Sequence, residues 1–345
     1  MEDTYAKSPI WPKVAIIILN WNGWRDTIEC LESLRQLTYQ NYQVVIVDNG
    51  STDESLSRLT DWLDTNKQAG WSVSEDIFAA TRQYASFEHV YSGIVSSRAG
   101  NVPVTLLESG HNLGYAGGNN IGLAWAVAQG CKYTLILNND VKVDPRLLDN
   151  LVDVAGETGA SVVGALVRDF NGKHLLFVQS FYPAMLFLSE RQSRMPHNRW
   201  WPTHQVNGSA MLLSRELLLE RWRTFGYFLD PSLFLYCEEL ELALWCRRTG
   251  HKCVMAGEAV VYHKLGASSR GARQQQFYYL TRNRVLLARR YLPFPLKLSF
   301  ILIYPLWRIF RAAMYAVRGR REIARAIILG LLDGYQGRTG QWHIR

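Results

Sequence analysis

A carboxylate directly follows a short apolar run near the middle of the sequence. Residues 134–137 are apolar or β-branched and predict a buried strand, and Asn138, Asn139 and Asp140 come immediately after it. Such a strand end could simply be a turn, which is the simpler interpretation of these residues alone. It could also present oxygen ligands at the carboxyl edge of a sheet, where α/β proteins bind their ligands. One aspartate in that position can bind a divalent cation such as Mg²⁺ together with substrate phosphates.

Three acidic side chains crowd the start of a predicted helix in the second half of the chain. Glu238, Glu239 and Glu241 follow the apolar and aromatic residues 234–237. Acids favour a helix N-terminus and commonly form a solvated face there. Because these acids emerge directly from an apolar segment, one of them could instead lie in a cleft as a general base. His263 ends another short apolar run, and a lone histidine is more often structural than a ligand.

Two loops in the first half have compositions that suit a nucleotide or a phosphate. Asp48 ends the second predicted strand, where dinucleotide-binding proteins place an acid, but the glycine fingerprint after the first strand is missing. Asp48 could equally cap the helix that follows. Residues 111–120 contain Gly114, Gly117 and Gly118 ahead of a predicted helix, where close backbone approach and a helix N-terminus suit phosphate or sugar oxygens. Each of these features is a weak indication when taken alone.

These loops connect alternating strands and helices. Four strands are predicted from apolar runs at residues 14–19, 44–47, 104–108 and 134–137. A helix after the first strand is predicted from apolar residues at a spacing of three, Ile28, Leu31, Leu34 and Leu37. Residues 65–103 are polar and aromatic and are interpreted as an insertion, while 238–248 predict a helix and 260–263 a short strand. The alternation is typical of a parallel sheet.

Composition indicates a folded protein whose charge is unevenly distributed. Of the 345 residues, 48% are hydrophobic and 20% charged, which suits a real core and excludes a disordered chain. Residues 270–325 contain thirteen Lys or Arg and one acid, a net charge of +12, which leaves −4 for the rest of a chain whose total is +8. The basic character therefore belongs to the C-terminal region. No recognition motif accompanies it, so we expect no nucleic-acid partner.

The cysteines and the N-terminus suggest a reducing compartment. The five cysteines are scattered without a CxxC pair, which argues against a disulfide framework. The first residues are polar and contain no apolar signal core. We therefore expect a cytoplasmic protein.

The C-terminal region combines apolar and basic residues. Its apolar run, 298–307, is about half the length of the roughly 20 residues that a spanning helix needs. The spacing of three or four predicts one shared helix face for the aromatic residues Phe300, Tyr304, Trp307 and Phe310. Interleaved arginines suit a helix that lies in a membrane interface, and we expect a peripheral position on the inner, anionic face of the cell membrane without crossing. The alternative is packing against the catalytic domain or a second subunit, so a homo-oligomer stays open.

The ordered set of motifs resembles the inverting glycosyltransferases of family 2, and most of all their bacterial rhamnosyltransferase-like branch. The similarity runs from about residue 13 to the C-terminus. The matching segments, in order, are VAIIILNWNG, VVIVDNGSTD, NLGYAGGNNIG, LILNNDV, VNGSAMLLSR, FLYCEELELALWCRRTGH, VVYHKLGAS, YYLTRNRVLLARRYLP and GLLDGYQGRTG. Any one of them is weak, but the ordered set is specific.

The resemblance implies a fold and a division of the chain. The fold is α/β of the GT-A type, a Rossmann-like and mostly parallel nucleotide-binding sheet flanked by helices, with a C-terminal helical extension. An N-terminal tail (1–12) precedes the catalytic domain (13–270), and a basic, apolar helical region (271–345) follows it. Within the catalytic domain, the nucleotide-sugar half is 13–145, including the insertion 65–103, and the acceptor-side half is 146–270.

The resemblance also implies a role for each candidate residue. The nucleotide-diphosphate sugar donor would contact Asn20, Asp48, Ser51, Asn112, Gly114, Gly117, Asn138 and Asn139. Mg²⁺ or Mn²⁺ would be bound by Asp140 and His263. Asn138 takes the first position of the family's Asp-x-Asp motif, so Asp140 is its only carboxylate. The acceptor side would include Gly208 and Ser209.

The implied chemistry needs only one base. A nucleotide sugar carries a good leaving group once a metal neutralises its diphosphate, whereas a glycosidase needs two carboxylates. The family's acidic pair maps to Glu238 and Glu239, and Glu239 would take the acceptor hydroxyl proton as that oxygen attacks the anomeric carbon from the opposite side. Glu241 is the alternative base.

The substrates follow from the same resemblance. The acceptor would be a glycan or a lipid-linked glycan in cell-surface polysaccharide synthesis, and Asn-Trp-Asn-Gly at 20–23 favours rhamnose as the sugar. Two other functions stay open. One is a nucleotidyltransferase, whose glycine- and basic-rich loop after the first strand is absent here. The other is a noncatalytic sugar- or nucleotide-binding homologue, against which the presence of Asp140, Glu239 and His263 argues.

Overall fold

A computed structural model describes residues 11–66, 90–173, 198–264 and 273–342, with short pieces at 175–177, 179–181 and 189–191. Among these residues, eleven strands form one mixed sheet in the order β11-β13-β7-β12-β5-β1-β2-β4-β3, with β6 paired to β13 and β8 paired to β7. Hydrophobic clusters lie on both faces of the sheet. The candidate site residues of the first half follow its parallel strands.

The first half is a parallel sheet with helical connections, as the alternation predicted. Its parallel strands are β1 (Val14–Asn20), β2 (Tyr42–Asp48), β4 (Gly100–Glu108) and β5 (Tyr133–Asn138). Its helices are α1 (Trp24–Leu34), α2 (Ser55–Thr65) and α3 (Gly114–Ala128). Ile16 and Ile18 pack in the cluster on one face and Ile17 in the cluster on the other, which is why β1 reads as a continuous apolar run.

Two glycines four residues apart let α3 lie directly on the sheet. A Cβ atom added at Gly118 would lie 2.4 Å from Leu19 Cδ1, and one at Gly122 would lie 2.6 Å from Ile17 Cγ2. Both contacts are closer than real Cβ atoms tolerate. Gly118 and Gly122 therefore allow α3 to pack closely on the sheet, with its N-terminus near the ends of β1 and β2.

The predicted insertion at 65–103 is in part an extension of the sheet. β3 (Val90–Ser97) runs antiparallel to β4, and β4 begins at Gly100, four residues before the predicted start. β3 is an edge strand with a single neighbour, so its side chains do not show the apolar run of a buried strand. Residues 67–89 of the insertion lie outside the described residues.

The second half adds both antiparallel and parallel strand pairs to the same sheet. Its strands are β6 (Val141–Val143), β7 (Val162–Asp169), β8 (Leu175–Phe177), β11 (Trp200–Pro202), β12 (Ala210–Ser214) and β13 (Cys253–His263). β12 lies between β5 and β7 and is antiparallel to both. β9 (Gln179–Phe181) and β10 (Ser189–Arg191) pair with each other. The helices are α4 (Leu147–Thr158), α5 (Arg215–Phe225) and α6 (Glu238–Thr249), with one 3₁₀ turn at Pro231–Leu233.

Three helices form the C-terminal region: α7 (Arg273–Tyr291), α8 (Phe294–Val317) and α9 (Arg321–Tyr335). Glycines again allow close packing, because a Cβ at Gly330 would lie 2.6 Å from the carbonyl oxygen of Tyr278 in α7. The apolar segment is longer than predicted, since α8 has 24 residues and includes Arg308, whose side chain is buried. Within the described residues α8 alone has the length and composition to cross a membrane, with a mean hydropathy of 1.3.

Candidate active site

The carboxyl ends of β1, β2 and β5 meet at one edge of the sheet. In the parallel register Asn20 lies opposite Asp48, and Leu19 lies opposite Asn138. The polar residues that end these three strands are therefore neighbours, as expected for the ligand-binding edge of a parallel sheet.

Asn20, Asp48 and Ser51 form one hydrogen-bonded group at this edge. Asn20 Nδ2 donates to Asp48 Oδ1 at 3.0 Å and to Ser51 Oγ at 3.2 Å, and the Ser51 backbone N–H donates to Asp48 Oδ2 at 3.1 Å. Thr27 Oγ1 donates to Asn20 Oδ1 at 2.8 Å. Asn20 and Asp48 are fully enclosed, whereas Ser51 is partly exposed. Asn20 and Asp48 thus shape the loop, and Ser51 is the member of the group that reaches the surface.

Asn112 and Gly114 shape the loop before α3. Asn112 Oδ1 accepts hydrogen bonds from the Gly114 backbone N–H at 2.8 Å and from Asn49 Nδ2 at 3.2 Å. Gly114 has a φ of +74°, and a Cβ there would lie 2.1 Å from the carbonyl oxygen of Phe234. A Cβ at Gly117 would lie 2.7 Å from Leu113 Cβ. The close approaches at these glycines are made by the chain's own segments, so a contact with the donor stays a prediction.

The two asparagines before Asp140 differ in their surroundings. Asn139 Nδ2 donates to Thr27 Oγ1 at 3.1 Å and to the Gly23 carbonyl at 3.3 Å, which ties it to the start of α1. The Asn138 side chain is partly exposed, and its backbone N–H donates to the Ser209 carbonyl at 3.0 Å.

Asp140 and His263 lie side by side although 123 positions separate them in the sequence. β13 pairs with β6 so that His263 is opposite Val141, the residue after Asp140. His263 Nε2 is 3.1 Å from Asp140 Oδ1, and the two side chains are 11% and 5% exposed. His263 Nδ1 is buried without a hydrogen-bond partner among the described residues, and Nε2, although close to Asp140 Oδ1, does not have hydrogen-bond geometry toward it. Buried polar atoms of this kind need a partner, and a cation shared with Asp140 would supply one.

The donor set of this pair fits a hard divalent cation. A carboxylate oxygen is a ligand of Mg²⁺ or Mn²⁺, which also retain water and phosphate oxygens, whereas an imidazole nitrogen is a softer ligand and is less usual for Mg²⁺. Within the described ranges no group of three or more His, Cys, Asp or Glu residues could hold a metal. Asp140 and His263 would therefore supply two ligands and leave the remaining positions to a phosphate-bearing substrate.

The segment before Glu238 has an unusual backbone. Phe234, Tyr236 and Cys237 have φ values of 63°, 66° and 76°, in the left-handed region that side-chain-bearing residues seldom occupy. Each such residue costs of the order of 1–3 kcal/mol and persists only where the surroundings hold it. The structure thus places strained backbone immediately before the acidic cluster.

Asn283 and Arg282 of α7 hold this segment. Asn283 Nδ2 donates to the carbonyl oxygens of Leu233, Leu235 and Tyr236 at 3.0, 3.0 and 2.7 Å. Arg282 is 1% exposed, and its Nη2 donates to the Leu233 carbonyl at 2.8 Å. Neither residue is among the site residues predicted from the sequence. A polar pair inside a helix that is otherwise packed is the feature that could have identified them.

The three glutamates of the acidic cluster have different environments. Glu241 is fully buried, pairs with Arg221 Nη2 at 2.6 Å and accepts a short hydrogen bond from the Tyr291 hydroxyl. Glu238 is buried, and its Oε1 lacks a hydrogen-bond partner among the described residues. Burial in the first place, and the charge of Glu239 in the second, raise the pKa of Glu238 well above the ordinary carboxyl value. Burial also raises the pKa of Glu239, which is the one member of the cluster with partial exposure.

Tyr115 and Gly208 lie beside the acidic cluster. The Tyr115 hydroxyl donates to the Gly208 carbonyl at 2.8 Å, and a Cβ at Gly208 would lie 4.0 Å from Glu239 Cδ. The pKa of Tyr115 is raised well above 10, first by burial and then by the charges of Glu239, Glu238 and Asp140. Ser209 therefore contacts the strand end before Asp140, and the neighbouring Gly208 lies beside the partly exposed Glu239.

Comparison of the sequence with known families gives a match over more than half of the chain. The model of the family described as "Glycosyl transferase family 2" matches residues 15–72 and 92–222. The uncharacterized protein Rv1525 of Mycobacterium tuberculosis is 27% identical over 161 residues, 45% of this chain and 55% of that protein. The chain therefore spans about half the length of this relative. The low-salt glycan biosynthesis hexosyltransferase Agl10 of Haloferax volcanii is 24% identical over 246 residues, 68% and 76% of the two chains.

Solved structures show the same fold. The mannosyltransferase PcManGT from Pyrobaculum calidifontis, solved with GDP-Man and Mn²⁺, has a TM-score of 0.54 at 15% identity, over 94% of this chain and 88% of that one. S. aureus TarS 1–349, solved with UDP, has a TM-score of 0.51 at 13% identity, over 96% and 94%. The predicted GT-A fold with C-terminal helices is confirmed. By its sequence match and its fold, the chain belongs to glycosyl transferase family 2.

Proposed function

We propose that the protein is a metal-dependent, inverting glycosyltransferase that moves a sugar from a nucleotide-diphosphate sugar to an acceptor hydroxyl. The observation that carries this proposal is that the 208–209 segment contacts both the strand end before Asp140 and the partly exposed Glu239, with His263 beside Asp140. Family membership supports glycosyl transfer as the reaction.

The donor would occupy the carboxyl edge of β1, β2 and β5. Ser51 and Asn138 are partly exposed polar residues there, and Ser51 accepts a hydrogen bond from Asn20, which also donates to Asp48. GDP-Man in PcManGT and UDP in TarS support a nucleotide-diphosphate sugar as the donor class. Rhamnose as the sugar stays a prediction from the Asn-Trp-Asn-Gly segment.

The metal would be held by Asp140 Oδ1 and His263 Nε2, and Mn²⁺ in the PcManGT structure supports a divalent cation of this type. When bound, it would neutralise the negative charge that develops on the diphosphate leaving group.

Glu239 would be the base that accepts the proton of the attacking hydroxyl. It is accessible, whereas Glu241 is occupied by Arg221 and Tyr291. A carboxylate whose pKa is raised toward the working pH is a more effective base. Burial and the charge of Glu239 raise the pKa of the neighbouring Glu238 well above the ordinary carboxyl value.

The acceptor would approach along the segment that contains Gly208 and Ser209. Gly208 has no side chain beside Glu239, which leaves room for a sugar or an acceptor hydroxyl next to the carboxylate. A glycan or lipid-linked glycan is the acceptor class that the cell-surface role of the resembled branch suggests. The hexosyltransferase activity of Agl10 in glycan biosynthesis supports this class.

A thermal-shift screen of donors tests the proposal. We expect a nucleotide-diphosphate sugar to stabilise the protein only in the presence of Mg²⁺ or Mn²⁺, by about 2.7 kcal/mol at 100 times its dissociation constant. The matched sample contains the same donor with EDTA. Stabilisation by a donor that never leads to transfer would indicate the noncatalytic homologue, and pyrophosphate release from a nucleoside triphosphate and a sugar phosphate would indicate the nucleotidyltransferase.

Asn283→Ala tests whether α7 positions the base. Removing the amide takes away three hydrogen bonds from the segment before Glu238, so we expect kcat to fall by about 10- to 100-fold with little change in the donor KM. Stability should fall by about 1–3 kcal/mol. Steady-state kinetics and thermal denaturation give both quantities.

Asn120→Ala is the matched control for this variant. Asn120 is also fully buried, and its side chain makes two hydrogen bonds of 2.8 Å with the backbone of Leu229, outside the strained segment. It should lose similar stability with a much smaller loss of kcat. An equal loss of kcat in both folded variants would mean that Asn283 contributes only to stability.

A further inference from the structure

The outward face of α8 is apolar and exposed. Leu302, Leu306 and Phe310 recur every four residues and are 61%, 69% and 64% exposed. The same surface continues through further exposed residues of α8 and α9: Leu298, Ile303, Ile309, Met314, Val317, Ile328 and Leu332. Contiguous apolar surface of this kind on a soluble domain marks an interaction site.

The opposite face of α8 is packed against the protein. Tyr304, Arg308 and Ala312 also recur every four residues, and all three are buried. Arg308 Nη2 donates to Thr281 Oγ1 through a short hydrogen bond and to the Phe277 carbonyl at 3.3 Å, both in α7. α8 is therefore attached to the catalytic part of the chain along one side.

The predicted single aromatic face of this helix is divided between the two sides. Phe300 and Tyr304 stack with a centroid distance of 4.5 Å and face the packed side, whereas Trp307 and Phe310 are exposed. The spacing of these four aromatic residues places them on one broad stripe of the α8 surface, but α7 and α9 cover only one edge of that stripe. The exposed face is thus mostly aliphatic.

Basic residues lie at one end of the apolar face. Arg318, Arg320 and Arg321 are exposed at the turn between α8 and α9, and Glu322 is the acid beside them. Apolar side chains bordered by arginines fit the boundary between acyl chains and anionic headgroups, where guanidinium groups contact phosphates. Contact with a second copy of this chain through the same face would instead bring two basic clusters together.

We propose that the outward face of α8 lies in the interfacial layer of a membrane that contains anionic lipid, while its inner face remains packed on α7 and α9. The helix has the length to span a bilayer. Spanning would, however, carry Arg308 into the hydrocarbon and break its bonds to Thr281 and Phe277. The helix therefore lies along the surface.

Flotation of the full chain with vesicles tests this proposal independently of sugar transfer. We expect recovery with vesicles that contain phosphatidylglycerol and much weaker recovery with pure phosphatidylcholine. High salt should reduce binding without abolishing it, because salt screens the arginines but not the apolar contact. Alkaline carbonate should release the protein, whereas retention after carbonate would show a spanning helix and overturn the proposal.

Two pairs of variants at exposed positions separate the apolar and the basic contributions. Leu306→Glu should abolish binding, whereas Ile94→Glu, at an exposed apolar residue of the edge strand β3, should bind like the wild type.

Arg318→Gln, Arg320→Gln and Arg321→Gln together should weaken binding by at least about tenfold. The same change at Arg223, Arg247 and Arg248, which are exposed on α5 and α6, should have little effect. Equal weakening by both triple variants would overturn the role of the arginine cluster. Absence of flotation together with a dimer that Leu306→Glu dissociates would identify the face as a contact between two copies.

Discussion

Asp140→Ala is expected to abolish sugar transfer and to leave the fold intact. Asp140 supplies the one carboxylate of its motif, and its Oδ1 lies 3.1 Å from a His263 nitrogen that has no hydrogen-bond partner within the described residues. Loss of a cation that neutralises the leaving group removes several kcal/mol of transition-state stabilisation, about 10³-fold or more in rate. The backbone carbonyl of Asp140, which accepts from the Lys264 N–H at 3.0 Å, is retained in the variant.

Two measurements and one control define this experiment. Initial rates give the effect on transfer, and titration with Mn²⁺ alone, followed by thermal shift or electron paramagnetic resonance, gives the effect on metal binding. Asp144→Ala is the control, because Asp144 lies four residues later and its carboxylate accepts a hydrogen bond from the Arg146 N–H at 2.9 Å. Full activity of Asp140→Ala, or of the wild type in EDTA, would refute the metal site.

Glu239→Gln is expected to lower transfer by about 10²- to 10⁴-fold while donor affinity persists. Glutamine keeps the shape of the side chain and removes its basicity. Because a base must be deprotonated to act, and burial raises the pKa of Glu239, wild-type activity should rise with pH through a value above the ordinary carboxyl range. This acidic limb should be lost in the variant. The pH dependence of kcat/KM, together with donor binding measured by thermal shift, checks both expectations.

Glu241→Gln is the matched control two residues away. It leaves Arg221 buried without its charge partner, so we expect a loss of stability of about 3–5 kcal/mol. Transfer per folded molecule should change little at a temperature where the variant is folded. If Glu241→Gln loses transfer while remaining folded, and Glu239→Gln does not, then the base is Glu241.

The positions of the central strands could be predicted from local sequence. The apolar runs at 14–19, 44–47 and 134–137 became strands with bounds shifted by at most two residues, and 238–248 became a helix. Each of these segments is buried on one or both faces by packed neighbours. The apolar residues within the segment are therefore enough to identify it as a strand or a helix. The division of the chain into domains at 145 and 270 stays a prediction.

Two elements were not predicted because their pattern depends on distant partners. β3 is an edge strand that pairs with β4 through backbone groups. Its sequence does not show the continuous apolar run of a buried strand, so it was interpreted as part of an insertion. The helix α8 continues through Arg308. In the sequence, this charged residue follows the apolar run 298–307 and was interpreted as the end of that run. Only the contact with α7 makes an arginine compatible with a buried helix face.

For the site, the sequence alone determined which polar residues follow which strands. A parallel register then necessarily brings the ends at Asn20, Asp48 and Asn138 to one edge. It also determined that Asp140 is the single carboxylate of its motif. These features are local, and they depend on side-chain type and strand order.

The tertiary structure decided what each of those residues can do. Glu239 and Glu241 are the same residue type, two positions apart. Arg221 and Tyr291, from separate helices, bind the Glu241 carboxylate, whereas Glu239 remains partly exposed. Asn283 holds the segment before them from more than forty residues away along the chain. Burial, pKa and the availability of a carboxylate are set by neighbours in space, and those neighbours are brought together only when the helices pack.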